Sequence, residues 1–256
     1  MDKDFKIIDG EIVEYYGNGG DLIIPDGVTS IKDEAFAENL SLTSVFIPAS
    51  VRWIGDMVFS CCSNITRFDV DEDNGFYCSI DGDLYTKDGK ELINYAQGKN
   101  ATSVSIPDGV TYIHNVVFKG CKNLEKVCIP NTVKRIECAA FSGCTNLTSV
   151  VIPEGITEIP QFIFAGCTAL TRISIPECVT RIGKYAFDGC SSLISVTIPE
   201  SVTKIGNRAF SGCTKLESVS LPKNVDLGTR VFENTRWQTK HPTLIVINHK
   251  LVEALG

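Results

Sequence analysis

Cysteine is the residue type in this chain that most suggests chemistry, with 11 cysteines among 256 residues. Thiolates that bind zinc or run dithiol redox chemistry leave short, fixed spacings such as Cys-x-x-Cys. No Cys-x-x-Cys occurs here, and the only adjacent pair is Cys61-Cys62. Neither a zinc ribbon nor a dithiol redox site is therefore indicated.

Six of the cysteines share one column, three residues after a phenylalanine: Cys62, Cys121, Cys144, Cys167, Cys190 and Cys213. Stacked strands are ~4.8 Å apart, which exceeds the ~3.8 Å Cβ separation that a disulfide prefers. We therefore expect reduced thiols in a core. Cys128 falls at an outward strand position, so we expect it to be the most reactive thiol.

The remaining candidates for chemistry are an acidic run and three histidines. Residues 69–75 (DVDEDNG) fail as a calcium loop, because Asn74 stands at the glycine position and Ile80 at the bidentate acid; an acidic solvated turn is expected instead. His241 and His249 do not have zinc-helix spacing, and His114 is isolated. No Gly-x-Ser-x-Gly or phosphate-binding loop occurs. We expect no enzyme, no metal and no cofactor.

Charge and hydropathy narrow the classes of partner. The net charge is −7, the pI is about 5.1, and no lysine or arginine run occurs, which argues against nucleic acid. No stretch reaches the ~18 to 20 apolar residues of a membrane span, so membrane insertion is not expected. The first six residues are polar and do not resemble a signal peptide.

The elements that position these residues form a repeat. Six prolines lie 23 residues apart, and an earlier pair has the same spacing: Pro107, Pro130, Pro153, Pro176, Pro199 and Pro222, then Pro25 and Pro48. A fixed period of this size indicates a solenoid. The Val-x-Ile step before each proline predicts a short strand, and the segment after it predicts a turn or short helical return.

The full pattern is Leu-x-x-Val-x-Ile-Pro-x-x-Val-x-x-Ile, with Ala-Phe-x-Gly-Cys after it. It resembles the BspA-like class of leucine-rich repeat proteins, strongly over residues 22–234. The resemblance implies a right-handed stack of coils with short parallel strands. It also implies a surface or secreted protein of a host-associated bacterium, or of some protozoa, linked to adhesion to host proteins.

Departures from the period suggest the organisation of a single repeat domain over residues 1–256. Residues 71–106 form one long unit, where Asp81-Gly82 and Asp88-Gly89 predict a β-hairpin insertion. Segments similar in sequence to this hairpin occur near both ends of the chain. We therefore expect an N-terminal hairpin cap at 1–21, repeats over 22–234, and either a C-terminal hairpin cap or the start of a further unit at 235–256.

Two sets of outward residues are candidates for binding. The first set flanks the inward valine of the strand: Phe46, Arg67, Ser105, Lys126, Cys128, Ser149, Val151, Arg172 and Ser174. The second set precedes the isoleucine after the proline: Trp53, Tyr112, Arg135 and Arg181. Aromatic and arginine side chains are enriched at binding hot spots. Alternatively these are a solvated β-surface and an exposed charge ladder, with Trp53 and Tyr112 packed under the long unit.

These observations favour a non-catalytic binding module for a macromolecule, with a protein as the main expectation. By resemblance it is an adhesin-like protein of the cell surface, whose ligand is a host surface or matrix protein. The rival hypothesis is a cytosolic interaction scaffold, supported by the missing signal peptide and the unpaired thiols. A third hypothesis is a carbohydrate-binding surface, for which Trp53, Tyr112 and Phe46 are the available aromatic groups.

Overall fold

The computed structural model describes residues 3–240, 244–247 and 250–253. The chain is a parallel β-solenoid of about nine turns with very little helix, which confirms the predicted fold class. Each 23-residue unit forms one coil, because its aliphatic side chains can be buried only between the coils above and below it.

Seven strands precede the long unit: β1 (Phe5–Ile8), β2 (Glu11–Tyr15), β3 (Gly20–Ile23), β4 (Ser30–Ile31), β5 (Leu42–Ile47), β6 (Trp53–Ile54) and β7 (Arg67–Val70). The long unit contains β8 (Tyr77–Ile80), β9 (Asp83–Thr86), β10 (Glu91–Asn94) and a 3₁₀-helix (Gln97–Lys99). The later coils contain β11 (Ser103–Ser105), β12 (Tyr112–Ile113), β13 (Lys126–Cys128), β14 (Arg135–Ile136), β15 (Ser149–Val150), β16 (Glu158–Ile159), β17 (Arg181–Ile182), β18 (Ser195–Thr197), β19 (Lys204–Ile205), β20 (Ser218–Ser220) and β21 (Asp226–Leu227). The described part of the chain closes with α1 (Arg236–Lys240), β22 (Leu244–Ile247) and β23 (Lys250–Glu253).

The strands form two sets of parallel ladders along the solenoid. The first sheet consists of three ladders, β3-β5-β7, β11-β13-β15 and β18-β20, whose strands precede a proline or, for β7, Asp71. The second sheet consists mainly of the two-residue strands that follow it, namely β4, β6, β12, β14, β16, β17, β19 and β21, with β2 and β10 as their first members. Each strand pairs with the equivalent strand one coil away, as Ile182 does with Ile205.

The second sheet differs from the predicted turn or short helical return. The residue before each isoleucine and the isoleucine itself form a strand, as in the pairing of Arg181 with Lys204. A two-residue strand has no period-2 pattern of its own. It is a strand because its backbone N–H and C=O groups hydrogen-bond to the neighbouring coil, so it forms only when the coils stack.

The core contains one aromatic column and one thiol column. The rings of Phe118, Phe141, Phe164, Phe187, Phe210 and Phe232 stack with centroids 4.9–5.6 Å apart. Five column cysteines are buried, while Cys121 is half-buried, and all eleven thiols are free. The buried thiols each donate to the carbonyl oxygen of the phenylalanine one coil back, as Cys167 does to Phe141 at 3.1 Å. The predicted reduced core thiols are confirmed.

The long unit forms the predicted hairpin and restarts the solenoid. Strands β8, β9 and β10 pair antiparallel, and β10 then pairs parallel with β12. The turn between β8 and β9 has two successive positive φ angles, 50° at Asp81 and 77° at Gly82, as a type I′ turn requires. The N-terminal hairpin has the same turn, at Asp9 (50°) and Gly10 (82°). The buried side chains fall into two clusters that meet at this unit.

The acidic run at 69–75 is more than a solvated turn, because Asn74 within it is fully buried. Its side-chain amide donates to the carbonyl oxygens of Pro48 (2.8 Å) and Val51 (3.0 Å). Its side-chain oxygen accepts the N–H groups of Phe76 and Tyr77. Asn74 therefore anchors the entry to the long unit on the preceding coil, since a buried amide must be hydrogen-bonded.

The closing segment begins with a helix packed on the last coil. Thr235, at the expected cysteine position, is buried, and its hydroxyl oxygen accepts the N–H of Gln238. Trp237 packs against Phe232 with ring centroids 4.7 Å apart. Strands β22 and β23 pair antiparallel, with Ile247 opposite Lys250. His241 and His249 lie outside the described residues, and the division of the chain into caps and repeats stays a prediction.

Candidate binding surfaces

The first-sheet candidates lie on shared ladders. Lys126 pairs with Ser149, Ser105 with Cys128, and Val151 forms a bridge with Ser174. Phe46 is half-buried; the other eight are exposed, namely Arg67, Ser105, Lys126, Cys128, Ser149, Val151, Arg172 and Ser174. Val151 is 73% exposed. This surface carries several serine hydroxyls, and its role in binding stays a prediction.

The second-sheet candidates fall into three places. Trp53 is 49% exposed on β6, so it does not pack under the long unit. Tyr112 is half-buried and donates its hydroxyl hydrogen to Glu137 Oε1 at 2.8 Å, with the Arg135 guanidinium 5.4 Å from its ring centroid. Burial, followed by this bond to Glu137, raises the pKa of Tyr112. Arg181 lies two coils beyond Arg135, and its guanidinium forms an ion pair with the carboxylate of Glu158 at 2.7 Å.

The groove on the second sheet was not predicted from the sequence. It has a volume of about 790 Å³ and runs over β14, β16, β17, β19 and β21 and the turns that follow them. Arg135 and Arg181 line it, and so do Lys134, Lys184 and Lys204, which were not among the predicted binding residues. We refer to it below as the second-sheet groove.

Glycines after the isoleucine produce the floor of this groove. A Cβ atom at Gly183 would lie 2.5 Å from the backbone nitrogen of Gln161, and one at Gly206 would lie 2.6 Å from that of Lys184. Consecutive coils therefore approach so closely that no side chain fits between them. The recurring glycine after an isoleucine, at Gly55, Gly183 and Gly206, or after Leu227, at Gly228, is the sequence signal that could have revealed this floor.

Pro160 takes the place of that glycine in one coil and interrupts the second sheet. Elsewhere the residue after the isoleucine donates its N–H to the preceding coil's isoleucine carbonyl, as Gly183 does to Ile159 at 2.7 Å. Proline has no N–H to donate. Strands β14 and β16 accordingly do not pair: β14 ends one ladder and β16 begins the next. The second-sheet groove crosses this interruption, because residues on both sides line it.

The second-sheet groove is positively charged although the chain is acidic. Its charged side chains are five basic and three acidic ones: Lys134, Arg135, Arg181, Lys184 and Lys204, and Glu137, Glu158 and Asp226. All three acids are ion-paired, with Arg135, Arg181 and Lys204 respectively. Lys134 and Lys184 have no ion-pair partner among the described residues.

Two kinds of feature are absent from the described part of the chain. No group of three or more histidine, cysteine or acidic side chains there is arranged to hold a metal ion. His114 contacts Glu91, with Nε2 and Oε2 2.8 Å apart. No helix among the residues described has the length and apolar character needed to cross a bilayer.

Comparison with known proteins identifies the repeat. A family model for the BspA type leucine rich repeat region matches six copies, over residues 7–79, 94–144 and 111–239. No curated protein gives a significant match.

Three solved structures illustrate the similarity. A leucine rich cell surface protein from Faecalibacterium prausnitzii is 35% identical, with a TM-score of 0.72, over 78% of this chain and 59% of that chain. A leucine-rich repeat protein from Eubacterium ventriosum is 23% identical, with a TM-score of 0.74, over 85% of this chain and 65% of that chain. The pneumococcal vaccine antigen PcpA is 26% identical, with a TM-score of 0.52, over 82% of this chain and 48% of that chain.

This chain therefore spans less than two thirds of the length of each of these proteins. The family model matches far more than half of its residues. The Phe-x-x-Cys column, the proline period and the stacked parallel strands are the physical basis of that match. The chain belongs to the BspA-type leucine-rich repeat family.

Proposed function

We propose that this chain is a non-catalytic module that binds a protein partner at a bacterial cell surface, and that the second-sheet groove is its binding site. The observation that carries the proposal is the groove itself. It is a groove of about 790 Å³ on a stack of coils, and its long charged side chains are held in register by parallel ladders. Solenoid surfaces are suited to extended contact with a macromolecule.

Family membership supports a binding role, because leucine-rich repeat proteins are generally protein-interaction modules and typically lack catalysis. The F. prausnitzii protein, 35% identical, is described as a cell surface protein. That description supports a surface location here. The adhesin-like role toward a host surface or matrix protein is part of our proposal and rests on the resemblance of the repeat. The first-sheet candidates are the rival contact surface, and a change of charge there distinguishes the two.

A protein microarray tests the binding role. The array carries surface and matrix proteins, together with oligosaccharides as a separate class. We expect selective binding to proteins that falls at least tenfold for the double variant Lys134→Glu/Lys184→Glu. Lys126→Glu/Arg172→Glu makes the same change of charge on the first sheet and serves as the control. Selective binding to oligosaccharides alone, or loss for the control alone, would contradict the proposal.

Protease accessibility on intact cells of the source organism tests the location. We expect added protease to degrade the protein without lysis. A protein that is degraded only after lysis would support the cytosolic scaffold instead.

A further inference from the structure

We propose that the second-sheet groove binds an extended acidic segment of a partner polypeptide. This inference rests on the proposed function and specifies the chemistry of the partner. It is drawn from three features of the groove: the sign of its charge, the interrupted backbone ladder along its floor, and its length.

The charge of the groove opposes that of the whole chain. The chain carries a formal charge of −7, yet basic side chains outnumber acidic ones five to three in the groove. Every acidic side chain in the groove forms an ion pair with a basic one, and Lys134 and Lys184 are not part of these pairs. An acidic ligand is attracted to such a site, while the acidic remainder of the surface repels it, so the charge pattern favours docking in this groove.

The interrupted ladder favours a polypeptide over another polyanion. The N–H of Thr180 donates to the carbonyl oxygen of Thr157 at 2.9 Å, and that of Thr203 donates to Thr180 at 2.9 Å. The equivalent bond from Thr157 to Lys134 is absent, as is the bond that Pro160 cannot form. Backbone donors and acceptors on both sides of the interruption thus lack the neighbours that other coils have. No whole strand fits between these coils, which bond to each other elsewhere, as Ala139 N–H does to Gln161 at 3.0 Å. A peptide lying along the groove instead carries N–H and C=O groups that hydrogen-bond singly to these open positions.

The length of the groove sets the size of the segment. It runs over the five rungs from β14 to β21, which span about 19 Å at ~4.8 Å per rung. An extended chain rises ~3.3 Å per residue, so about six residues fill it.

The direct test is fluorescence anisotropy with three labelled oligomers and the intact chain. The probes are hexaglutamate, hexaglutamine and tetragalacturonate, a polyanion without peptide groups. We expect hexaglutamate to bind at least tenfold more tightly than either of the others, and more weakly as salt rises. Lys134→Glu/Lys184→Glu is expected to weaken hexaglutamate binding at least tenfold, and Lys126→Glu/Arg172→Glu less than twofold. Lys134→Ala/Lys184→Ala replaces the groove variant if charge reversal impairs folding.

Each other outcome overturns the inference. If hexaglutamine binds as tightly as hexaglutamate, charge does not select the ligand. If tetragalacturonate binds as tightly as hexaglutamate, the groove does not prefer a polypeptide. Loss of hexaglutamate binding in the first-sheet control would place the binding site on the first sheet instead of in the groove. If hexaglutamate does not bind but the groove variants still lose an array partner, the acidic segment is wrong while the proposed function stands. If the array partner is insensitive to the groove variants, the proposed function itself fails.

Discussion

At the scale of single residues, the cysteines of the repeat column pack in the core and do not form a reactive site. Column thiols such as Cys144 are enclosed by apolar side chains and donate to a phenylalanine carbonyl one coil back. Burial raises the pKa of Cys144 to about 12 and that of Cys62 to about 11. A buried thiol of high pKa has almost no thiolate at neutral pH, so it is a poor nucleophile.

This predicts a graded reaction with a thiol reagent at pH 8. Cys128 is the one exposed thiol, so we expect one fast equivalent that disappears in Cys128→Ser. The five half-buried thiols react more slowly, and the five buried ones react only after unfolding. Ellman's reagent, followed over time with and without denaturant, measures the three classes. Fast reaction of Cys167 in the native protein would contradict the packing.

At the scale of elements, stacking decides features that a single unit does not show. The first-sheet strands, the phenylalanine column and the Asp-Gly hairpins were predicted because each has a local pattern: period 2, a fixed column or a turn dipeptide. The second-sheet strands and their groove were not, since they arise only when one coil lies against the next. Pro160 was visible in the sequence, but its effect depends on a hydrogen bond between coils.

The glycine floor predicts an asymmetry between two alanine substitutions. Gly183→Ala places a Cβ atom 2.5 Å from a backbone nitrogen, so the coils must separate, and we expect a loss of about 1–3 kcal/mol. Gly75→Ala is the matched control, because nothing lies within 4 Å of its added Cβ atom. Its effect is expected to stay within about 0.5 kcal/mol. Urea unfolding measures both; equal values would contradict the close approach of the coils.

The interruption at Pro160 predicts a local difference in amide exchange. The Thr157 amide has no partner on the preceding coil, whereas the Thr180 amide is bonded at 2.9 Å. We expect the Thr157 amide to exchange at least tenfold faster than those of Thr180 and Thr203. Hydrogen exchange followed by NMR resolves the three positions. Equal protection would mean that the second sheet is continuous.

At the scale of the whole molecule, the solenoid consists of two stacks joined at the long unit. Each stack begins with an Asp-Gly hairpin, followed by a strand that ends at or next to a tyrosine, Tyr15 or Tyr95, whose ring packs on the first phenylalanine of its column. The second-sheet ladder ends at β6 and begins again with β8, β9 and β10. Repeat proteins gain stability from neighbouring units. At the long unit the buried clusters divide as well as the ladder, whereas at Pro160 one cluster continues, so the long unit separates the cooperative units.

We therefore expect the two stacks to open separately under native conditions. The cluster before the long unit is the smaller one, so its amides should exchange together and sooner than those of the second stack. Native-state hydrogen exchange with increasing urea measures this. A single set of opening free energies across residues 12–216 would indicate one cooperative unit.

The most direct test of the central claim, that a partner binds in the second-sheet groove, is a hydrogen-exchange footprint of the intact chain with and without a protein selected on the array. We predict protection at residues 134–138, 156–161, 181–184 and 204–207, and no change at the first-sheet positions 126–128, 149–151 and 172–174. Protection confined to those first-sheet positions would contradict the groove and favour the first-sheet candidates as the binding face.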